Sequence, residues 1–186
     1  MEKREAILNA AMQLITENGF HGTPMSMVAN RAKVAAGTIY HHFESKEHLI
    51  NQLYADLKKK FGEALMKGGL TGNNIKEQFF QLWLNMYEYF ICNPSEFRFL
   101  EQYANSPYIE KETREANKHT YQPAIVFLEK GIEKGVLRQM EPVLMANLLY
   151  GSVIAVVKIQ LSGQMQMNND TLQQVIQSSW DGVRIN

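Results

Sequence analysis

Cysteine is almost missing from this chain: Cys92 is alone among 186 residues, so no intrachain disulfide can staple the fold. A chain of this size that manages without disulfides fits a reducing compartment, and the cytoplasm is the expected location. The opening residues, Met1-Glu2-Lys3-Arg4-Glu5, lead into an alternately charged and apolar stretch without an apolar h-region or small-residue cleavage site, so the start does not read as a signal peptide. A charge excess is missing too, since 19 Lys and Arg balance 19 Asp and Glu. Nucleic-acid binders usually carry a basic surplus. Dividing the chain at Ile50 uncovers no basic half, because Lys3, Arg4, Arg31, Lys33 and Lys46 face Glu2, Glu5, Glu17, Glu44 and Glu47. Low-complexity tracts are absent, and 45% hydrophobic with 20% charged residues is the balance of an ordered globular protein. A reactive constellation is lacking as well. Glu115 and His119 lie four apart without a second ligand set, and the adjacent His41 and His42 leave a helix on different sides. Catalytic residues, a metal and a cofactor are therefore not expected.

What the chain does have is helix after helix, which predicts an all-α fold of about nine helices. Ile7, Ala11, Leu14 and Ile15 share a face of the first, which stops at Asn18-Gly19. Thr23-Pro24 reads as N-cap and first residue of a short helix to about Ala32, followed by another from about Ala36 to His42. Ser45 caps a long helix with Leu49, Leu53, Leu57, Phe61 and Leu65 every four residues, ending at Gly68-Gly69. Asn74 with Glu77, and Asn93-Pro94 with Glu96, read as capping boxes, and Ser106-Pro107 reads as a further helix start. Pro123 begins or kinks a helix toward Gly135, Glu141-Pro142 opens one to about Leu161, and the last begins near Asp170. Cys92, at a helix end, reads as a small buried hydrophobe. The run Lys58-Lys59-Lys60 reads as a solvated face of the long helix.

The segment Phe20 to Leu49 places two very short helices, a three-residue turn and a capped long helix in thirty residues. Such helices persist only if they brace one another. Val28, Ala29, Ala32, Val34, Ile39 and Phe43 can form a small core with the first helix. That leaves Ala36, Gly37, Thr38, Tyr40 and His41 on the outer face, where small residues permit close approach and a phenol and an imidazole offer polar contacts. Such a surface suits a DNA groove. With no basic surplus, phosphate binding rests on a few placed cations, neutral donors, helix N-termini and the histidines, four of which (His21, His41, His42, His48) lie in this half. Lys46 adds a clue: a cation in the first turn of a helix opposes its dipole, and a phosphate would offset that.

The run Thr23 to Leu49, T-P-M-S-M-V-A-N-R-A-K-V-A-A-G-T-I-Y-H-H-F-E-S-K-E-H-L, resembles the DNA-binding signature of TetR/AcrR-family repressors. The match covers about a quarter of the chain and is close from Val28 onward. The resemblance implies that Tyr40, His42 and Lys46 contact the phosphate backbone. It implies that Ala35, Ala36, Gly37, Thr38 and His41 face the major groove of a palindromic operator, with Ser26 at the flank. Two positions depart from the pattern: Lys33 stands where the family has a turn glycine, and Ala35 where it has the serine before the recognition helix. A side chain must then take the turn, a cap is lost, and base discrimination leans on Thr38, Lys33, His41, methyl contacts and DNA shape. The expected division is a helix-turn-helix head at residues 1–46, joined by the long helix to a ligand-binding and dimerisation domain at residues 47–186.

In this family the second domain takes small molecules. Phe61, Trp83, Met86, Tyr87, Phe90, Phe99, Tyr103 and Tyr121 read either as ordinary core or as the lining of a cavity for an apolar or aromatic effector that releases the operator. Residues 143–161 are the most apolar stretch. Asn147, Ser152, Lys158 and Gln160 interrupt it and no basic flank orients it, which argues against a membrane span. Helices at about 142–161 and 170–181 are expected to form a four-helix bundle with the same pair of a second copy, an internal core helix being the other reading. An activator, or a nucleoid-associated dimer without a ligand, is the alternative to a repressor.

Overall fold

The computed structural model describes residues 3–70, 72 and 74–185. Among them run α1 (Lys3–Asn18), α2 (Met25–Ala32), α3 (Ala36–His42), α4 (Lys46–Leu65), α5 (Ile75–Cys92), α6 (Pro94–Tyr103), α7 (Lys111–Ala116), a 3-10 turn (Lys118–Tyr121), α8 (Gln122–Glu133), α9 (Pro142–Leu161) and α10 (Asn169–Val183). No strand occurs among these residues beyond an isolated antiparallel bridge between Leu137 and Arg184. This is the all-α architecture that the periodicity predicts. Two compact units divide the chain: one takes the residues through Lys59 together with Asn93–Lys118, the other Lys60–Cys92 and His119 onward.

In the first unit α1 is the platform. Its Ile7, Ala11, Leu14 and Ile15 are buried, and α2, α3 and α6 pack on it. Val28, Ala29, Ile39 and Phe43 close the small core from the other side, with Ala32 and Val34 half-buried at its edge. Gly19 ends α1 in the left-handed region at φ 76°, its N–H donating to the Ile15 carbonyl. Arg4 fastens α1 to α4 through Asp56 at 2.8 Å, and its guanidinium lies 5.9 Å from the Phe43 ring centre. From α6, the Tyr103 hydroxyl donates to the Ile15 carbonyl at 3.2 Å. Buried Asn51 of α4 donates to the Tyr108 carbonyl at 3.0 Å and accepts from the Glu110 N–H at 2.9 Å, so one side chain holds the loop after α6.

Several caps form where the sequence places them. Ser45 Oγ accepts from the His48 N–H, Asn74 and Glu77 exchange reciprocal bonds at 3.0 Å, and the Glu141 carboxylate accepts from the Val143 N–H. Others differ. Thr23 does not cap α2: its buried hydroxyl turns back to donate to the Gly19 carbonyl, Pro24 occupies the N-cap position and the helix begins at Met25. Asn93 makes no side-chain cap on α6, where Pro94 supplies a preset φ instead. Ser106-Pro107 opens no helix, because Ser106 closes a turn onto Tyr103 and the chain stays irregular until α7 at Lys111. Cys92 is exposed rather than buried. Of the lysine run, Lys59 and Lys60 are exposed, whereas Lys58 is half-buried and desolvation pulls its ammonium below the usual lysine range.

The second unit is built around α5, which packs on α9 and α10 while α8 covers α9. Trp83, with no exposed surface, donates its indole N–H to Ser152 Oγ at 3.0 Å. Ser152 donates in turn to the Leu149 carbonyl, and Ser179 Oγ of α10 donates to Ser152 at 3.2 Å. A polar thread thus runs across three helices, from buried Trp83 to half-buried Ser152 and Ser179. Asn85, also buried, donates to the Leu65 and Lys67 carbonyls at 2.9 and 3.2 Å and accepts from Gln81, which satisfies the C-terminal end of α4. The helix α9 is long and apolar enough to cross a membrane by length and composition, with a mean hydropathy of 1.7. Only a third of that window is buried within the chain, and Val143, Leu144 and Leu148 are each about half exposed.

Asn85→Ala is expected to lower stability by about 1–3 kcal/mol, because two carbonyls at the end of α4 lose their buried donor. Urea unfolding followed by circular dichroism measures it, and a midpoint equal to wild type would show that those carbonyls find other donors.

Candidate nucleic-acid interface

The turn between α2 and α3 is made without glycine. Lys33 takes the left-handed region at φ 56° and ψ 43°, the Val34 N–H reaches back to the Ala29 carbonyl at 3.0 Å, and α2 closes in a Schellman pattern. A side chain in that region is disfavoured by about 1 kcal/mol relative to glycine. Ala35 then extends the chain at φ −67° and ψ 147° as the N-cap of α3 and supplies no side-chain cap. The serine missing from this position is therefore a missing bond in the fold. What anchors α3 is Ile39, fully buried, and Phe43 just past its end, whose N–H bonds to the Ile39 carbonyl.

With Ile39 turned inward, Ala35, Ala36, Gly37, Tyr40 and His41 are exposed, Thr38 and His42 are half-buried, and Ser26 and Lys33 stand on α2 and the turn. Tyr40 leaves 56% of its surface open, which nothing within the chain explains. His41 and His42 do not diverge fully; their rings meet edge to face at 5.3 Å. Gly37 is informative for what it does not meet. A Cβ built there finds no atom within 4 Å, and its backbone is ordinary helix. Glycine inside a helix gives up about 1 kcal/mol relative to alanine. Nothing in the folded chain requires glycine here, and its absent side chain leaves the outer face of α3 flat at this residue.

Lys46, half-buried in the first turn of α4, also has partners inside the chain. Its ammonium donates to the Phe20 carbonyl at 2.7 Å and the Thr23 carbonyl at 3.1 Å, and lies 4.2 Å from the centre of the Phe20 ring. Within the chain these contacts stabilise the cation at the start of α4. Phe20 in turn stacks on Tyr108 at 4.2 Å, and His21 meets the same tyrosine edge-on. Neither Phe20, Tyr108 nor Asn51 is singled out by the sequence, because no local spacing pairs residues so far apart along the chain.

The residues expected to line an effector cavity divide between the two units. Phe99 and Tyr103 belong to the first, stacked on each other at 5.3 Å. Phe61, Trp83, Met86, Tyr87, Phe90 and Tyr121 belong to the second. There Trp83 stacks on Tyr87 at 5.7 Å, Phe61 on Phe90 at 4.9 Å, and Tyr150 meets both phenylalanines edge-on. The Tyr87 hydroxyl donates to Gln160, and burial pushes the phenol above its ordinary range, so it stays a neutral donor. The second unit also carries two open concavities. One of about 460 Å³ is bordered by Lys76, Trp180 and Arg184, and one of about 550 Å³ lies beside Ser152, Gln174 and Ser179; neither is lined by the aromatic set.

Two family models match nearly the whole chain: bacterial regulatory proteins of the tetR family at residues 7–53, and the tetracyclin repressor-like C-terminal domain at residues 54–185. The chain belongs to the TetR family of transcriptional regulators. An HTH-type transcriptional regulator of Haemophilus influenzae is 24% identical over 97% of this chain and 95% of its own length. A tetR-family transcription regulator from Shewanella sp. PV-4 superposes with a TM-score of 0.89 at 27% identity, covering all of both chains. FadR of Bacillus subtilis, solved in complex with stearoyl-CoA, has the same fold at a TM-score of 0.72 and 21% identity, over 95% of each chain. TetR-family members are DNA-binding transcription factors rather than enzymes, and DNA-binding regulation is what this chain does.

Gly37→Ala separates folding from binding. It is expected to raise stability by about 0.5–1 kcal/mol in urea unfolding and to weaken DNA binding in a shift assay. Unchanged DNA affinity would show that nothing approaches α3 at this residue.

Proposed function

We propose that this TetR-family regulator is a sequence-specific homodimeric repressor of the cytoplasm, released from a palindromic operator by an apolar or aromatic small molecule. Residues 1–46 read the DNA and residues 47–186 bind the effector and the second copy. The observation that carries the reading is the exposed face of α3, where Gly37 lies beside the exposed Ala36, Tyr40 and His41 and leaves room for a close partner. Ala35, Ala36, Gly37, Thr38 and His41 approach the bases with Lys33 at the turn, Tyr40, His42 and Lys46 hold the phosphate backbone, and Ser26 touches the flank.

The dimer is supported by α9. Leu144 and Leu148 lie one turn apart and half exposed, followed by exposed Gly151 and Ala155 along the same stripe, a surface that packs closely on a copy of itself. The effector class is supported by the Trp83, Tyr87, Phe61 and Phe90 cluster, with the Tyr87 hydroxyl as a polar handle in an otherwise apolar surround. FadR, which shares the fold, was solved in complex with stearoyl-CoA, and this makes acyl-CoA esters the first class to test.

Leu148→Glu is expected to yield folded monomers in sedimentation analysis and to lose operator binding. A dimer that survives this substitution would place the interface elsewhere. For the effector, acyl-CoA esters of graded chain length are titrated against the complex of the protein with the DNA upstream of its own coding region. One of them is expected to release that DNA, and Tyr87→Phe, which keeps the ring and removes only the hydroxyl, to weaken the response severalfold. Operator affinity unmoved by every ester would sink the acyl reading and leave the repressor reading to be tested with aromatic compounds.

A further inference from the structure

We infer that the concavity between α5 and α10 is a binding site for a small phosphomonoester, with Lys76 and Arg184 holding the phosphate. Its volume is about 460 Å³, within the range of small-molecule sites. Lys76 in the first turn of α5, Gln177 and Trp180 of α10, and Arg184 just past the end of α10 border it, and no Asp or Glu does. No residue of α9 lines it, so it is separate from the apolar stripe proposed to meet a second copy. It also shares no residue with the aromatic cluster proposed to take the effector. The site is therefore independent of both of those proposals.

Its walls are tied together. Gly135 turns the chain after α8 in the left-handed region at φ 67°, and the segment that follows pairs with the end of α10. There the Arg138 N–H donates to the Val183 carbonyl at 2.8 Å and the Ile185 N–H to the Val136 carbonyl at 3.0 Å. Buried Trp180 meets Phe79 of α5 edge-on at 5.3 Å, which joins the two helices behind the opening. On this frame the cations keep most of their binding capacity. The Lys76 ammonium lies 5.2 Å from the centre of the Phe80 ring and has no hydrogen bond or ion pair among the described residues. Arg184 uses only Nε, which donates to Asp181 at 2.6 Å, so the two terminal amino groups of its guanidinium have no partner among the described residues. Arg138 adds a third positive charge. It donates to the Arg184 carbonyl at 2.9 Å and the Asp181 carbonyl at 3.4 Å, neutral acceptors that leave the charge in place. Against these stands Asp181, whose carboxyl the Gln177 amide and the Arg184 guanidinium hold below the usual carboxylate range. Glu77, next to Lys76, accepts from the Asn74 side chain. Three cations and the Asp181 carboxylate leave two positive charges in surplus. A phosphomonoester brings close to two negative charges at neutral pH and three acceptor oxygens, enough for an ammonium and the open side of a guanidinium together. A simple carboxylate brings half that charge.

Isothermal titration calorimetry of the full-length protein with glycerol 3-phosphate, inorganic phosphate and acetate, at one ionic strength set with chloride, tests the site. Thermal melting of each variant accompanies it. Glycerol 3-phosphate is expected to bind once per chain and to raise the melting temperature, inorganic phosphate to compete with it, and acetate to give no heat. Lys76→Gln removes a charge that the fold does not use. It is expected to melt like wild type without ligand and to bind glycerol 3-phosphate about tenfold more weakly. Arg184→Lys keeps the charge but loses the planar fork, and a loss of about the same size is expected. Lys130→Gln, on the exposed side of α8, is expected to bind as wild type does. Failure of both phosphates to bind, acetate binding as tightly as they do, or an affinity unmoved by Lys76→Gln and Arg184→Lys would overturn the proposal.

Discussion

A seven-residue helix cannot stand alone in water, because the cost of its first turn is never recovered over so few hydrogen bonds. Everything in the DNA-reading head follows from that constraint. The helix α3 has no side-chain cap, a glycine in its second position and, from Thr38 to His42, residues of middling helix propensity, so its own propensity argues against it. It exists because Ile39 and Phe43 are withdrawn from solvent against α1 and its neighbours. Burial of those two side chains contributes several kcal/mol, and it fixes which way the remaining residues face. Helix α1, which reads no DNA in the proposed function, is thus the part of the head on which recognition depends.

A second theme is the use of single polar side chains to close the backbone where helices end. Asn51 holds both sides of the Tyr108–Glu110 loop, Asn85 holds the carbonyls at the end of α4, Thr23 bonds back to Gly19, and Lys46 gathers the carbonyls of Phe20 and Thr23. Each is buried or half-buried, so each bond is made in a medium where leaving it unmade is expensive. These fasteners explain how a helical chain with no disulfide keeps irregular connections in one conformation.

The helices were legible because their causes are local. Four-residue apolar spacing, Ser45, Asn74 and Glu141 as caps, and Pro123 and Pro142 as starts all act within one turn, and each appears in the structure where the sequence puts it. The errors have separate reasons. Thr23 has the composition of a helix start, but its hydroxyl takes the Gly19 carbonyl set before it by the preceding turn, whereas at Ser106 the backbone N–H closes a turn onto Tyr103 and the buried hydroxyl has no partner among the described residues. For the interface, the residues that face outward could be read from Ile39 and Phe43 alone. The partners of Lys46 could not, since the stack of Phe20 on Tyr108 and the loop held by Asn51 join distant parts of the chain. The aromatic cluster was legible as composition and not as geometry: helical spacing joined Trp83 to Tyr87, but only the fold separates Phe99 and Tyr103 into the other compact unit.

The open apolar stripe on α9 would tie stability to abundance in the proposed dimer. A partner that covers Leu144 and Leu148 only in the native chain deepens the native state, by mass action, with the logarithm of its concentration. If that partner is a second copy, scarcity acts twice. Few chains find each other to shelter α9, and few heads are held in pairs, where the second gains from an effective concentration set by the first. Occupancy of a palindrome would then climb more steeply than in proportion to the number of chains, which lets a modest change in expression act as a switch without any change in the protein.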